Sequence, residues 1–361
     1  MSYTRMIPQL VVRGLTSRLT CRNVAVRKNE FKWYHANAQQ EPPLSKVAHP
    51  LTPQPWLYPM NLDDSSDMSR ILHDYDTFLF DCDGVLWGID HFTKFGNVKQ
   101  CIEGLRKNGK KVLFVTNNSM HSRSVYIVKF KEMCNFEAEA EDVFSVNYAT
   151  ALYLKSIAKI KGKIYVIGSK GLSDELDSLG LKSFGYGMDP DTISDYRDDL
   201  LRQRLDPDVE AVVVGFDIHI GYNKIYKAAS YLSNPDCIYI ATNDLETRVQ
   251  LGPNRIQPLT GVLTHAVNVA SNRHPVVIGK PYHHLMSCMM TTYPEININR
   301  TVMIGDSLKT DIGFAANIGV DSILVLSGST TKADLEKNHE CRDYEMPTYI
   351  LSSIEKLGEV L

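Results

Sequence analysis

The sequence predicts an α/β protein: a parallel-sheet core interrupted by a large inserted α/β segment. Three observations lead there. Four short apolar runs are spread along the chain, and each stops at a polar residue. Stretches long enough for helices lie between them. About 160 residues separate the second run from the third, whereas a crossover between parallel strands needs only about a dozen.

The runs are Thr77–Phe80 before Asp81, Val112–Val115 before Thr116, Val276–Gly279 before Lys280, and Thr301–Gly305 before Asp306. Short runs rich in Val, Ile and Phe read as buried parallel strands. In an open α/β sheet, ligands gather beyond the carboxyl ends of the strands. Asp81, Asp83, Thr116, Lys280 and Asp306 are therefore expected to converge on one edge. Gly84 supplies the turn that lets Asp81 and Asp83 face one cavity. Cys82, between them, is expected to pack on the opposite side of the sheet.

The inserted segment has its own elements. Strands are expected at 163–167, 211–214 and 237–241, with helices at 172–179 and 224–232. The expected division is an N-terminal extension over 1–64, a core formed by 65–156 and 274–361, and an inserted domain over 157–273. Ser65 or Ser66 is a suitable N-cap for a first short helix through Ile71 and Leu72.

The extension differs in composition. Residues 1–29 carry Arg5, Arg13, Arg18, Arg22, Arg27 and Lys28 and no acidic residue. Ser and Thr hydroxyls accompany them. This is the composition of a mitochondrial transit peptide; the competing reading is a disordered basic tail, with a cytoplasmic protein. Six prolines between Pro42 and Pro59 exclude regular helix or central strand there.

Whole-chain composition is that of a globular protein: 361 residues, 43% hydrophobic and 22% charged. A net charge of −3 gives no reason to expect a nucleic-acid partner. No apolar run approaches the roughly 20 residues needed to span a bilayer, so no membrane partner is expected. The seven cysteines are scattered and contain no CxxC pair, which reads as reduced thiols.

The polar residues suggest metal-assisted phosphoryl transfer. An aspartate can attack phosphorus and form an aspartyl-phosphate, and a second can protonate the leaving oxygen and then deprotonate water. Alone, Asp81-Cys82-Asp83-Gly84 fits calcium binding or loop capping as well. A cluster of Asp81 with Asp306 suits Mg²⁺, which prefers oxygen ligands. Thr116 offers a hydroxyl and Asn117-Asn118 offer backbone N–H groups to phosphoryl oxygens. Lys280 offers a fixed positive charge. Each has a plain alternative: Lys280 a surface lysine, Thr116 a helix cap, Asp311 a structural ion-pair partner.

FLFDCDGVLW (Phe78 to Trp87), FVTNNS (Phe114 to Ser119), VVIGKP (Val276 to Pro281) and MIGDSLKTDI (Met303 to Ile312) resemble, in order, the four motifs of the haloacid dehalogenase-like hydrolases. The Asp81 to Trp87 string with Asn117-Asn118-Ser119 is similar to the 4-nitrophenylphosphatase subgroup, which includes phosphoglycolate and pyridoxal phosphate phosphatases. The resemblance implies a Rossmann-like parallel-sheet core with a large inserted α/β cap domain. It implies Asp81 as nucleophile and Asp83 as acid/base. It implies Mg²⁺ held by Asp81, the main-chain carbonyl of Asp83, and Asp306, with Asp311 behind them. Thr116, Asn117, Asn118 and Lys280 would bind phosphate. The expected activity is hydrolysis of small phosphorylated metabolites, phosphoglycolate-type or related monoesters. Dephosphorylation of phosphotyrosine or phosphoserine proteins and a non-enzymatic phosphate-binding module are the alternatives. A homodimer through the cap is a further expectation.

The chain departs from its relatives in the cap at Asp244-Leu245-Glu246-Thr247-Arg248 and Pro258-Leu259-Thr260-Gly261, and in the core loop after the second motif at Met120-His121-Ser122-Arg123. Arg248 could grip an anionic leaving group, or be a solvated loop arginine. His121 could face substrate, or be simply exposed. Trp87 is expected to pack in the flap after the nucleophile.

Overall fold

A computed structural model describes residues 58–63, 68–191, 197–341 and 343–361. Expectations for the transit segment, most of the proline-rich stretch, and Ser65 and Ser66 fall outside these residues. In chain order the strands are β1 (Met60–Asn61), β2 (Thr77–Phe80), β3 (Lys111–Thr116), β4 (Val143–Ser145) and β5 (Lys163–Ile167). Next come β6 (Lys182–Phe184), β7 (Val209–Val214), β8 (Ile238–Ala241), β9 (Arg248–Gly252) and β10 (Arg255–Pro258). The last are β11 (Val276–Val277), β12 (Thr301–Gly305), β13 (Asp321–Val325) and β14 (Tyr349–Leu351).

Two parallel sheets organise the chain. One has seven strands in the order β1-β14-β13-β12-β2-β3-β4. The other has five, in the order β11-β8-β7-β5-β6. All four residues of β2 are buried, as a strand covered on both faces requires. Helices do the covering. In Val98–Lys107, for example, Val98, Cys101, Ile102 and Leu105 are buried, the one-face spacing of an amphipathic helix. This is the expected α/β architecture with an inserted cap.

The elements expected in the cap recur with small shifts: strands at Lys163–Ile167, Val209–Val214 and Ile238–Ala241, helices at Lys170–Ser178 and Tyr222–Leu232. The antiparallel hairpin β9-β10 was not among the expected elements, although Arg248-Val249-Gln250-Leu251 and Arg255-Ile256-Gln257 alternate polar with apolar on either side of Gly252-Pro253-Asn254.

One expectation needs correction. Val276–Gly279 is not a strand of the sheet that carries Asp81. Val276 and Val277 pair with Ile240 and Ala241 in the five-stranded sheet. Ile278 N–H and Gly279 N–H continue that pairing onto Ala241 and Thr242 carbonyls. An apolar run reports burial and extension; it does not report which sheet it joins. Lys280 therefore arrives at the active edge from the cap side.

The two sheets also share apolar packing. One buried cluster contains Leu79, Val115 and Phe144 from the larger sheet together with Val166, Val213 and Ile240 from the smaller. A second contains Phe78, Phe80, Cys82 and Trp87, which gives Cys82 the packing role expected of it. The described cysteines are all unpaired thiols.

Candidate active site

Register brings the strand ends together. Phe80 lies opposite Ile304 and Phe114, so Asp81, the turn after Thr116 and Asp306 follow side by side. The Asp81 N–H donates to the Ile304 carbonyl at 2.8 Å. The chain then turns at Gly84, whose φ is +82°. A Cβ there would sit 2.3 Å from Asp306 Oδ2, so only glycine lets this turn close over the cluster.

Lys280 is 1% exposed at its side chain and lies at the centre. Its Nζ is 2.9 Å from Asp81 Oδ1 and 2.6 Å from Asp311 Oδ1. It also donates to the Val115 carbonyl at 2.9 Å. Burial opposes its charge, but Asp311 and then Asp81 outweigh it and hold its pKa above the ordinary lysine value. The surface-lysine alternative fails. Asp311 is fully buried and accepts from the Ser307 N–H at 3.1 Å as well.

Asp81, Asp306 and Asp311 each bring a carboxylate oxygen within 4.8 Å of the others. Three carboxylates thus face one ammonium. Burial lifts Asp81 well above the carboxylate range; Lys280 opposes this and Asp311 and Asp306 add to it. Asp306 is raised to about 7, by burial first and then by Asp311, against the bonds from Ser329. The Ser329 N–H reaches Asp306 Oδ2 at 2.6 Å. Surplus negative charge on an all-oxygen donor set fits a hard divalent cation such as Mg²⁺.

Asp83 is held differently. Trp87 Nε1–H donates to Asp83 Oδ1 at 2.5 Å. His91 Nδ1 lies 2.9 Å from the same oxygen and Lys129 Nζ 3.6 Å. Asn118 Nδ2 approaches the other oxygen, Oδ2, at 3.4 Å. Burial pushes the Asp83 pKa up, but the His91 hydrogen bond, the His91 and Lys129 charges and the Trp87 bond bring it down to about 2.

The expected phosphate-binding residues are gathered here too. Thr116 Oγ1 accepts from the Asn118 N–H at 3.1 Å and lies 3.4 Å from the Tyr126 hydroxyl. The Asn117 side chain clasps the Lys280 backbone. Its Oδ1 accepts from Lys280 N–H at 2.8 Å and its Nδ2 donates to Lys280 C=O at 2.9 Å. Asn117 thus also joins the core loop to the cap-side lysine.

Sequence reasoning missed several residues. Trp87 packs as expected and is also a donor to Asp83. His91 and Lys129 are single residues 38 apart that only the fold brings together. Glu246 and Asn243 form a turn above the site. Asn243 Nδ2 donates to Asn117 C=O at 3.1 Å and to Glu246 Oε2 at 3.4 Å. Lys309 Nζ holds the turn through Leu245 C=O at 2.6 Å, and the Tyr282 hydroxyl holds Asp244 at 2.9 Å. Glu246 is raised by burial, partly offset by the charge of Lys280 and raised further by Asp311. Arg248 opens the hairpin at an exposed position. The His121 ring meets Tyr126 edge-on at 6.2 Å.

Comparison with known proteins gives this arrangement its family. A haloacid dehalogenase-like hydrolase model matches residues 78–182, and a HAD-hydrolase-like model matches 277–357. A human glycerol-3-phosphate phosphatase is 39% identical over 80% of this chain and 91% of its own.

The chain belongs to the haloacid dehalogenase-like hydrolases.

Phosphoglycolate phosphatase 2 of Arabidopsis thaliana is 35% identical, covering 82% of this chain and 97% of its own. The p-nitrophenyl phosphatase of Archaeoglobus fulgidus superposes with a TM-score of 0.66 at 26% identity, over 80% of this chain and all of that one. This hydrolase is accordingly a phosphatase, a phosphoric monoester hydrolase acting on small molecules. Among the described residues no helix is long and apolar enough to cross a membrane.

Proposed function

We propose that this hydrolase is a Mg²⁺-dependent phosphatase of small polyol monoesters, of the glycerol 3-phosphate kind, working through an aspartyl-phosphate on Asp81. The observation that supports it is the cluster of Asp81, Asp306 and Asp311 around Lys280, with Asp83 anchored beside it. Asp81, Asp306 and the main-chain carbonyl of Asp83 would hold the metal, with Asp311 behind them. When bound, the metal would neutralise the carboxylates and the incoming phosphate. Thr116, Asn118 and Lys280 orient the phosphoryl oxygens, and Asn117 sets Lys280. Asp81 attacks phosphorus. Asp83 gives the leaving oxygen a proton and then takes one from water. The segment 157–273 is the cap, its sheet completed by β11.

The polyol reading draws on the Asn243–Glu246 turn. Asn243 Oδ1 is buried and accepts no hydrogen bond from the described residues, and the Glu246 carboxylate accepts from Asn243 at 3.4 Å. A hydroxyl-bearing leaving group would donate to both. A carboxylate-bearing one, as in phosphoglycolate, would meet like charge. Phosphate release from glycerol 3-phosphate and phosphoglycolate, with Mg²⁺ and after chelation, tests this. Asp81→Asn should keep fold and size and lose turnover by about 10³-fold or more. Substantial turnover in Asp81→Asn, or after exhaustive chelation, refutes the mechanism.

A further inference from the structure

The two oxygens of Asp83 have different surroundings. Oδ1 receives Trp87 Nε1–H at 2.5 Å and has His91 Nδ1 at 2.9 Å and Lys129 Nζ at 3.6 Å. Among the described residues Oδ2 is approached by the Asn118 side chain, at 3.4 Å, on the side of the phosphate-binding turn. A proton cannot sit comfortably on Oδ1, because that position is crowded by donors. It can sit on Oδ2.

The anchoring side is rigid. Trp87 is fully buried and packs on Phe130 with ring centres 5.7 Å apart. Lys129 lies over the Trp87 indole at 4.1 Å, a favourable cation–π position, and 3.3 Å from His91 Nδ1. His91 has a left-handed backbone, φ 65°. That conformation is uncommon outside glycine and costs energy. The loop is fixed around it: Asp90 Oδ1 accepts from Phe92 N–H and Thr93 N–H at 2.9 and 2.8 Å, and His91 N–H donates to Gly88 C=O at 2.9 Å. The backbone is thus held in an unfavourable shape that delivers the imidazole to Asp83.

We propose that His91 and Lys129 are positioning residues that anchor Asp83 by Oδ1 and reserve Oδ2 for proton transfer. This rests on the reading of Asp83 as acid and base. Asp83 is ionised before substrate binds; the phosphate monoester enters as its monoanion and gives its proton to Oδ2. In the first step Oδ2–H passes that proton to the leaving oxygen as the P–O bond breaks and Asp81 bonds to phosphorus. In the second, Oδ2 takes a proton from the water that attacks phosphorus, and the Asp81–P bond breaks to release phosphate. Loss of the anchor lets the carboxylate rotate, so that Oδ2 misses both partners.

Two substrates of similar shape separate this from structural damage. Benzyl phosphate leaves as an alkoxide and needs the proton; p-nitrophenyl phosphate leaves as a stable phenolate and does not. Lys129→Met and His91→Gly are the variants, the second chosen because glycine accepts the left-handed backbone. Each should lower kcat/KM on benzyl phosphate by about tenfold or more, within the range of general acid catalysis, and on p-nitrophenyl phosphate by less than about threefold. With p-nitrophenyl phosphate each should also show a burst of p-nitrophenolate, because water attack on the phosphoenzyme is slowed. Lys129→Arg should restore the benzyl rate. Equal losses on both substrates, or no loss on either, overturn the anchor. Asp83→Asn is the control: if it keeps full activity on benzyl phosphate, the reading of Asp83 itself fails, and independently of the anchor.

Discussion

Stabilisation by Mg²⁺ should switch on near pH 7, not near the ordinary carboxylate pKa. Asp306 titrates there: burial, and then Asp311, raise it from 3.8 to about 7, and Asp81 beside it is raised by burial as well. A raised carboxylate disfavours the fold wherever the unfolded chain has already lost its proton. That cost is absent below about pH 4, grows between about pH 4 and 7, and is complete above about pH 7. The interval is roughly three pH units at about 1.4 kcal/mol each, on the order of 4 kcal/mol. Against a total stability of about 5–15 kcal/mol the effect is large. A cation bound to the ionised cluster offsets about 2.7 kcal/mol of that cost at a hundred times its Kd.

The measurement is the urea midpoint at about pH 5 and about pH 8, with and without Mg²⁺. His284 moves the other way, since burial lowers its pKa to about 4. It does so with and without metal, so it drops out of the difference. The midpoint gain from Mg²⁺ should be large at the higher pH and small at the lower. Calorimetry at about pH 6, in buffers of differing ionisation enthalpy, should show proton release on Mg²⁺ binding. Equal stabilisation at both pH values with no proton release would show that the cluster is already ionised, and the reasoning would fall.

Two further outcomes are expected. Glu246→Gln should shift the kcat/KM ratio toward phosphoglycolate over glycerol 3-phosphate by about tenfold, because like charge is removed near the leaving group; an unchanged ratio would make Glu246 a bystander. Removal of residues 1–57 should leave turnover nearly intact, and residues 1–40 fused to a fluorescent reporter should reach mitochondria; diffuse cytosolic signal would favour the basic-tail reading.

The carboxylates at the strand ends were legible because their signal is local. Asp81 and Asp306 each follow a buried run, and parallel register then sets them side by side. Residues that act across the chain left no such trace. His91 and Lys129 sit in a loop and a helix with no pattern of their own, and Trp87 looked like packing alone. Val276–Gly279 was legible as a strand but not as a cap strand, since apolarity cannot name a neighbour. That last point bears on function. Lys280, the cation of the cluster, is carried at the end of a cap strand and clasped by Asn117 from the core. The Asn243 side chain and Lys309 tie the same junction from either side. Cap position and lysine position are therefore one variable. A substitution that loosens the cap sheet should reach the chemistry through Lys280, even where it touches no substrate.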